Sequence, residues 1–180
     1  HWLSPEPARL EGLPGLWSSD GTDARVEAGR EDGGEVAAAV SHHDGAHTPR
    51  PLTARTADGA LHPHQPARVV LGHRDLPADA RLRDPAGGPL VRVDSHDPAD
   101  VLAALPDALW VLVEGGPHIL GAFFAAGLVD EVHAYVAPLV LGAGRASVEI
   151  PGVTTLDDGH RFSTRSVTRL GEDVLVTLSR

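Results

Sequence analysis

The sequence contains no cysteine, methionine, lysine or asparagine. Without cysteine, disulfide bonds and thiolate chemistry are excluded. All 15 basic residues are arginine, and 25 acidic residues bring the net charge to −10. A nucleic-acid partner is therefore not expected, because proteins that bind polyanions usually present a basic face. The use of arginine alone indicates a GC-rich coding bias.

Long apolar runs are also missing. No run approaches the roughly 20 residues that a bilayer-spanning helix needs, and no signal-peptide pattern is visible, so we predict no membrane contact and a cytoplasmic protein. Because the initiator methionine is absent, we expect a fragment or a processed chain. The 180 residues fit one domain with a sizeable core.

The most informative stretch is WVLVEGGPHILGAFFAAGLVDEVHAY, residues 110–135. Its apolar, β-branched start at 110–113 is typical of a buried strand. The glycine pair 115–116 supplies a turn, and the proline that follows suits the first position of a helix over 117–126. A second apolar run covers 132–136. This order predicts a right-handed βαβ unit whose two strands are parallel neighbours.

The glycine turn of this unit is a candidate site for binding an anionic ligand. Backbone N–H groups at a helix start attract phosphate through hydrogen bonds and the helix dipole. Glu114, at the carboxyl end of the strand, can face a polar ligand group in the crevice where open α/β sheets bind ligands. The alternatives are a plain βα connection and a buried strand-end carboxylate satisfied by backbone N–H groups.

Four segments around this unit match a known family pattern. They are VEGGP at 113–117, LGAF at 120–123, GLVDE at 127–131 and APLVLGAGR at 137–145. Together they resemble the signature of the reductase domain of the bifunctional riboflavin-biosynthesis deaminase/reductase, a member of the dihydrofolate-reductase-like superfamily.

Three further segments are similar to the same family. PLTAR at 51–55 and RVVL at 68–71, followed by Arg74, fit its pattern. HWLSPEPARL at 1–10 is similar to the family segment Q-W-I-T-S-P-E-A-R, in which the Trp lies near the nicotinamide cofactor and the next residues start a helix. Arg9 fits that segment with a shift of one residue.

The resemblance implies an α/β, dihydrofolate-reductase-like three-layer fold, with a mostly parallel central sheet and a C-terminal antiparallel hairpin. Alternating runs at 162–170 and 173–178 are consistent with that hairpin. We predict one reductase-like domain over 1–180, in which 51–180 matches well. Residues 1–50 look irregular, and 35–40 form their only candidate element.

Local patterns between the motifs agree with alternating strands and helices. Residues 68–71 and 90–93 read as short strands, and 99–105 reads as a helix. Either Asp94 or Asp97 can cap that helix.

The function implied by the resemblance is NADPH-dependent reduction of 5-amino-6-(5-phosphoribosylamino)uracil to its ribitylamino product. The cofactor supplies the hydride, so no catalytic side chain is assigned. Glu114 and Arg55 are the implied substrate-binding residues. Arg74 could pair with the cofactor 2′-phosphate or lie in a solvated turn. The implied cofactor-binding residues are Trp2, His73, Arg74, Gly115, Gly116, Pro117, His118, Ile119, Leu120, Gly121 and Ala122.

Some family features are replaced or missing. The first strand and its S-L-D-G loop would have to lie upstream of His1. Thr48 stands where the substrate-binding Asp is expected, unless Asp44 takes its place. An inactive or truncated reductase-like fold, or an association module, is therefore the alternative function, and a related enzyme with another substrate is a third. By resemblance alone we expect a homodimer acting on a small phosphoribosylamino-pyrimidine.

Other site types find little support. His42, His43, His47, His62 and His64 are closely spaced, yet no Cys or Glu completes a ligand set, so no metal is assigned. Arg145 could contact a substrate phosphate, although a solvent-facing position is the simpler expectation. No G-x-S-x-G elbow supports a hydrolase, and no G-x-G-x-x-G follows a strand, as a Rossmann dehydrogenase requires.

Overall fold

The structure is a computed structural model that describes residues 52–56, 58–144 and 146–180, together with the course of four short strands earlier in the chain. Three of these early strands form an antiparallel sheet in the order β1-β2-β3: Ala8–Arg9 (β1), Leu16–Ser19 (β2) and Ala24–Glu27 (β3). The sequence pattern did not predict them. The helix start that the resemblance implied around Arg9 is wrong, because this residue pairs with Leu16 in β1–β2.

A four-stranded parallel sheet follows, in the order β6-β5-β4-β7. Its strands are Val36–Ser41 (β4), Arg68–Leu71 (β5), Leu90–Val93 (β6) and Trp110–Val113 (β7). The last three match the strands predicted from the apolar runs. β4 occupies the one candidate element found in the irregular N-terminal part, and it pairs with both β5 and β7.

A second antiparallel sheet has the order β8-β10-β9 and contains the C-terminal part of the chain. Its strands are Glu131–Val136 (β8), Ser163–Leu170 (β9) and Asp173–Ser179 (β10). The predicted hairpin is confirmed: Leu170 pairs with Asp173 across a two-residue turn, in which Gly171 has a φ of 64°. That left-handed conformation suits glycine in a tight hairpin turn.

The predicted pairing of β7 with β8 is wrong. Helix α2, Pro117–Ala125, follows β7 as expected, but β7 pairs with β4 and β8 pairs with β10. Apolar periodicity identifies strands, yet it holds no information about which strand becomes the neighbour. Consecutive strands are neighbours in only about two-thirds of cases, and this unit belongs to the remainder.

Short helices fill the connections. Helix α1, Pro98–Ala103, starts at Asp97, whose side chain accepts a 2.9 Å hydrogen bond from the Ala99 N–H group. Of the two candidate caps, Asp97 is therefore the one used. The loop before β6 contains two 3₁₀ turns, Arg81–Arg83 and Pro85–Gly87.

The core lies on both faces of β5, which is buried along its whole length. Alternate residues of a strand face opposite sides. Val69 and Leu71 accordingly pack with α1 and α2, whereas Val70 packs with the loop that precedes β6. The larger cluster comprises Val69, Leu71, Val93, Val101, Ile119 and Phe123, and the smaller one Val70, Leu76, Ala80 and Leu82.

The helices are short. Within the described ranges, neither has the length and apolar character needed to cross a membrane.

Candidate functional site

The two glycines between β7 and α2 have different surroundings. A Cβ on Gly115 would lie 2.5 Å from Ile119 Cγ2, so a side chain there would collide with the core. A Cβ on Gly116 would meet no heavy atom within 4 Å, and Gly116 is exposed. Gly115 therefore serves internal packing, whereas the Gly116 side of the turn is open to a ligand.

Helix α2 begins at this open turn without a side-chain cap. Gly116 is its N-cap residue, with φ −68° and ψ 174°. Its carbonyl oxygen accepts a 3.0 Å hydrogen bond from the Leu120 N–H group. The N–H groups of His118 and Ile119 precede that bond in the helix, and Pro117 has none to offer. Such first-turn N–H groups are suited to an anion.

The other implied cofactor residues of α2 lie on different sides of the helix. The Ile119 side chain is only 7% exposed and belongs to the core, whereas His118 is exposed. Leu120 and Ala122 are half-buried, and Gly121 is buried. Any contact of Ile119 with a ligand at the turn would therefore come from its main chain.

Residues 146–150 lie against α2, and we call this segment the strap. The Glu149 N–H group donates to the Pro117 carbonyl oxygen at 3.1 Å. Its carboxylate Oε2 is 3.2 Å from His118 Nδ1. A Cβ on Gly121 would lie 1.8 Å from the Glu149 carbonyl oxygen, so the strap's main chain occupies the space that a side chain would take. The strap thus covers the flank of α2 next to the open turn.

Glu114 follows β7 and is exposed, so the alternative of a buried strand-end carboxylate is wrong. Tyr135, on β8, is half-buried. Burial raises the pKa of Tyr135 to about 12, and the negative charge of Glu114 adds to the rise. The phenol is protonated at neutral pH even at the usual tyrosine pKa of about 10, so it can donate a hydrogen bond within electrostatic reach of this carboxylate.

The carboxyl ends of β5 and β6 carry a second polar cluster. His73 Nδ1 lies 2.7 Å from Asp94 Oδ1, and the rings of His73 and His96 are 4.4 Å apart. The hydrogen bond from His73 is the main reason why the pKa of the Asp94 carboxyl is lowered, with smaller contributions from the charges of His73, Arg92 and His96. Arg74, the next implied cofactor residue, is exposed beside this cluster.

Arg55 takes part in a local turn. It forms an isolated antiparallel bridge with Leu61, and its Nη1 donates to the Gly59 carbonyl oxygen at 2.7 Å. This contact holds the guanidinium of the implied substrate-binding residue close to its own loop.

Several sequence-predicted positions lie outside the described residues. They are Trp2, Asp44, Thr48, Arg145 and the histidines His42, His43 and His47. Of the histidine cluster, His62 and His64 are described, with ring centroids 6.1 Å apart. Over the described part of the chain, no three His, Asp or Glu residues are placed to hold a metal ion.

Four polar residues at these sites were not predicted from the sequence: Asp94 and His96 beside His73, Glu149 beside His118, and Tyr135 near Glu114. Each is separated from its partner by 20 or more positions in the sequence, so no local spacing could reveal the pair. Asp94 was considered only as a helix cap.

Comparisons with known proteins show which family this chain is similar to. The family model of the RibD C-terminal domain matches residues 35–176. The riboflavin biosynthesis protein RibD of Mycobacterium tuberculosis is 46% identical over 128 residues, which cover 71% of this chain and 37% of that protein. RibD of Corynebacterium ammoniagenes is 38% identical over 125 residues, 67% of this chain and 36% of that protein. The chain thus spans less than half the length of these relatives.

Solved structures show the same fold. RibD of Acinetobacter baumannii superposes with a TM-score of 0.63 at 25% identity, covering 81% of this chain and 47% of that one. A Thermotoga maritima protein superposes with a TM-score of 0.61 at 20% identity, covering 80% of this chain and 45% of that one. The predicted dihydrofolate-reductase-like α/β fold and the reductase-domain resemblance are therefore confirmed. The match of the family model over most of the sequence shows that the chain belongs to the RibD C-terminal domain family.

Proposed function

We propose that this chain is an NADPH-dependent reductase of riboflavin biosynthesis, acting on 5-amino-6-(5-phosphoribosylamino)uracil. The observation that carries the proposal is the open Gly116 turn at the start of α2, in a chain of the RibD C-terminal domain family. The Thermotoga maritima relative is described as a deaminase and 5-amino-6-(5-phosphoribosylamino)uracil reductase, which supports this choice of substrate.

The residues at the turn fit a nicotinamide dinucleotide. Its diphosphate needs N–H donors and an approach free of side chains, and the uncapped start of α2 beside Gly116 offers both. When bound, the cofactor supplies a hydride to the acceptor carbon. The protein's own part is to bind and orient the two reactants, because positioning alone can lower a barrier by several kcal/mol, of the order of 7 to 11 in favourable cases.

Two groups on the carboxyl side of β7 can orient the pyrimidine. Glu114 is an exposed hydrogen-bond acceptor at the strand end, and the half-buried Tyr135 phenol is a hydrogen-bond donor. We propose that Arg74 and His73, at the ends of β5 and β6, bind a cofactor phosphate; the positive charge of Arg74 would favour NADPH over NADH. By family resemblance we also propose a homodimer, which light scattering of the purified chain would test.

The test is a titration with NADPH, followed by nicotinamide fluorescence, on the wild type and on Gly116→Asp. We expect micromolar binding by the wild type. The variant should bind at least about tenfold more weakly, because a carboxylate at the open turn repels the diphosphate. Ala126→Asp is the matched control, since it adds the same charge at the exposed far end of α2 and should bind as the wild type does.

Binding must then lead to turnover. NADPH oxidation that depends on the phosphoribosylamino-pyrimidine, weakened by Glu114→Gln, would support the substrate assignment. If neither wild type nor variant binds NADPH, the reductase proposal fails and the inactive or association module takes its place. A further outcome is that NADPH binds and yet is oxidised only when another pyridine or pyrimidine carbonyl compound is the substrate. That result would mean that the enzyme catalyses a different reduction.

A further inference from the structure

The contact between the strap and α2 involves a glycine in the middle of the helix, Gly121. Gly121 lies in the middle of a nine-residue helix, where glycine is less favourable than alanine. Its buried position and the 1.8 Å separation between a built Cβ and the Glu149 carbonyl oxygen give the reason. Only a residue without a side chain lets the strap's main chain approach the helix this closely.

We propose that Gly121 is a positioning residue for the open turn at Gly116, the proposed cofactor site. It lets the main chain of the strap pack directly on α2, a contact that we call the seat. The strap held in this way keeps the first turn of the helix in place. This inference rests on the proposed function for the identity of the ligand, NADPH. It assigns Gly121 no direct contact with the cofactor, unlike the role that the family resemblance implies.

Three contacts connect the seat to the turn. The Glu149 N–H group bonds the Pro117 carbonyl oxygen, at the first residue of the helix. The Glu149 carboxylate reaches His118, the second residue. The same residue's main chain lies on Gly121, one turn further along. One strap residue thus fixes positions 117, 118 and 121, and the open Gly116 stands directly before them.

The energetic argument concerns preorganisation. A turn that is already held in its binding conformation loses less entropy when the ligand arrives, so affinity is higher. Without the strap, the start of α2 would lose the contacts that Glu149 makes with Pro117, His118 and Gly121. Release of the strap should therefore weaken cofactor binding and leave the hydride-transfer step unchanged.

The first arm of the test measures the seat itself and needs no cofactor. Amide hydrogen exchange of the Glu149 N–H group is compared in the wild type and in Gly121→Ala, and we expect exchange at least about tenfold faster in the variant. Glu149→Gln should keep the slow exchange, because the seat is made by main chain. Ala125→Gly is the helix control: it lowers the helix propensity at an exposed position of α2 and leaves the strap in place.

Equal acceleration in Ala125→Gly and Gly121→Ala would overturn the inference, since any change in α2 would then loosen the strap and the effect would not be specific to Gly121. Unchanged exchange in Gly121→Ala would overturn it as well. Because alanine normally stabilises a helix interior, the expected loosening runs against propensity and is specific to the seat.

The second arm measures the role in the site. In steady-state assays, Gly121→Ala should raise the KM for NADPH about threefold to tenfold, with kcat within about twofold of the wild type. A purely structural defect would lower the active fraction, and hence kcat, at constant KM, and that outcome would overturn the positioning role. If the wild type does not use NADPH at all, the proposed function fails, whereas the exchange arm still decides whether Gly121 seats the strap.

Discussion

Arg68 is a fully buried arginine, and its removal should be among the most damaging single changes in this chain. It is 1% exposed on the central strand β5. Its Nη2 donates to the carbonyl oxygens of Asp84 and Gly88, at 2.9 and 2.7 Å. Burial lowers the pKa of the guanidinium, and the charge of Asp84 partly opposes that effect. The side chain thus ties β5 to the 3₁₀ turn Pro85–Gly87.

Arg68→Met should lower the free energy of unfolding by about 3 to 5 kcal/mol. A hydrogen bond to a charged donor contributes roughly 1.5 to 3 kcal/mol, and two carbonyl oxygens lose their donor here. The apolar stem of methionine replaces part of the packing, so the loss should stay near the sum of the two lost hydrogen bonds. Chemical denaturation of both proteins gives the difference directly.

Gly87 provides a partner for a double-mutant cycle. A Cβ there would lie 2.3 Å from Arg68 Nη1 and 2.7 Å from its Cζ, and the two carbonyl contacts prevent the guanidinium from moving aside. Gly87→Ala should therefore cost about 1 to 3 kcal/mol in the wild type and less than about 1 kcal/mol in Arg68→Met. The resulting coupling should be about 1 to 2 kcal/mol.

Equal costs of Gly87→Ala in the two backgrounds would refute this reasoning, because the alanine would then not be in conflict with Arg68. Gly116→Ala is the matched control. Its φ of −68° is open to alanine, and no atom lies within 4 Å of the new Cβ. Its stability should stay within about 0.5 kcal/mol of the wild type.

Three further predictions concern other parts of the chain. Tyr135 is the only tyrosine, so ultraviolet titration should show one phenol with a pKa of about 12; Glu114→Gln should lower this pKa only partly, since burial is the larger cause. The folded-state pKa lies above the usual tyrosine value of about 10. Tyr135 therefore contributes stability that is fully present below about pH 10 and is lost as pH rises towards 12. Alkaline denaturation should show this loss as a falling free energy of unfolding. Gly171→Ala should cost about 1 kcal/mol at its φ of 64°, whereas Gly171→Asn should cost less, as thermal unfolding would show. Hydrogen bonds from Thr154 and Thr155 lower the pKa of the Asp158 carboxyl. The ionised carboxylate therefore stabilises the fold above the usual carboxyl pKa, and this contribution disappears as pH falls through the lowered pKa. Asp158→Asn should make the free energy of unfolding depend less on pH on the acid side.

The sequence by itself predicted the local structure of the C-terminal two thirds of the chain. Strands β5, β6 and β7, helix α2 and the β9–β10 hairpin lie where apolar periodicity and glycine or proline signals placed them. These features depend on neighbours within a few residues, so a linear pattern carries them. The motif around Gly115 and Gly116 also pointed to the family.

Strand partnership was decided only by the tertiary structure. β7 and β8 flank one helix, yet they belong to different sheets, and β4 lies between β5 and β7 despite its weak sequence signal. Backbone hydrogen bonding between strands is largely independent of side-chain identity, so the choice of neighbour depends on the packing of the whole chain.

The same distinction applies to the site. The sequence determined that a glycine turn begins a helix there, because backbone freedom and the fixed φ of proline act locally. It did not determine that Gly116 is open while Gly121 is covered, or that Glu149 reaches His118. Those contacts join positions far apart in the chain, and only the folded arrangement of α2 and the strap brings them within bonding distance.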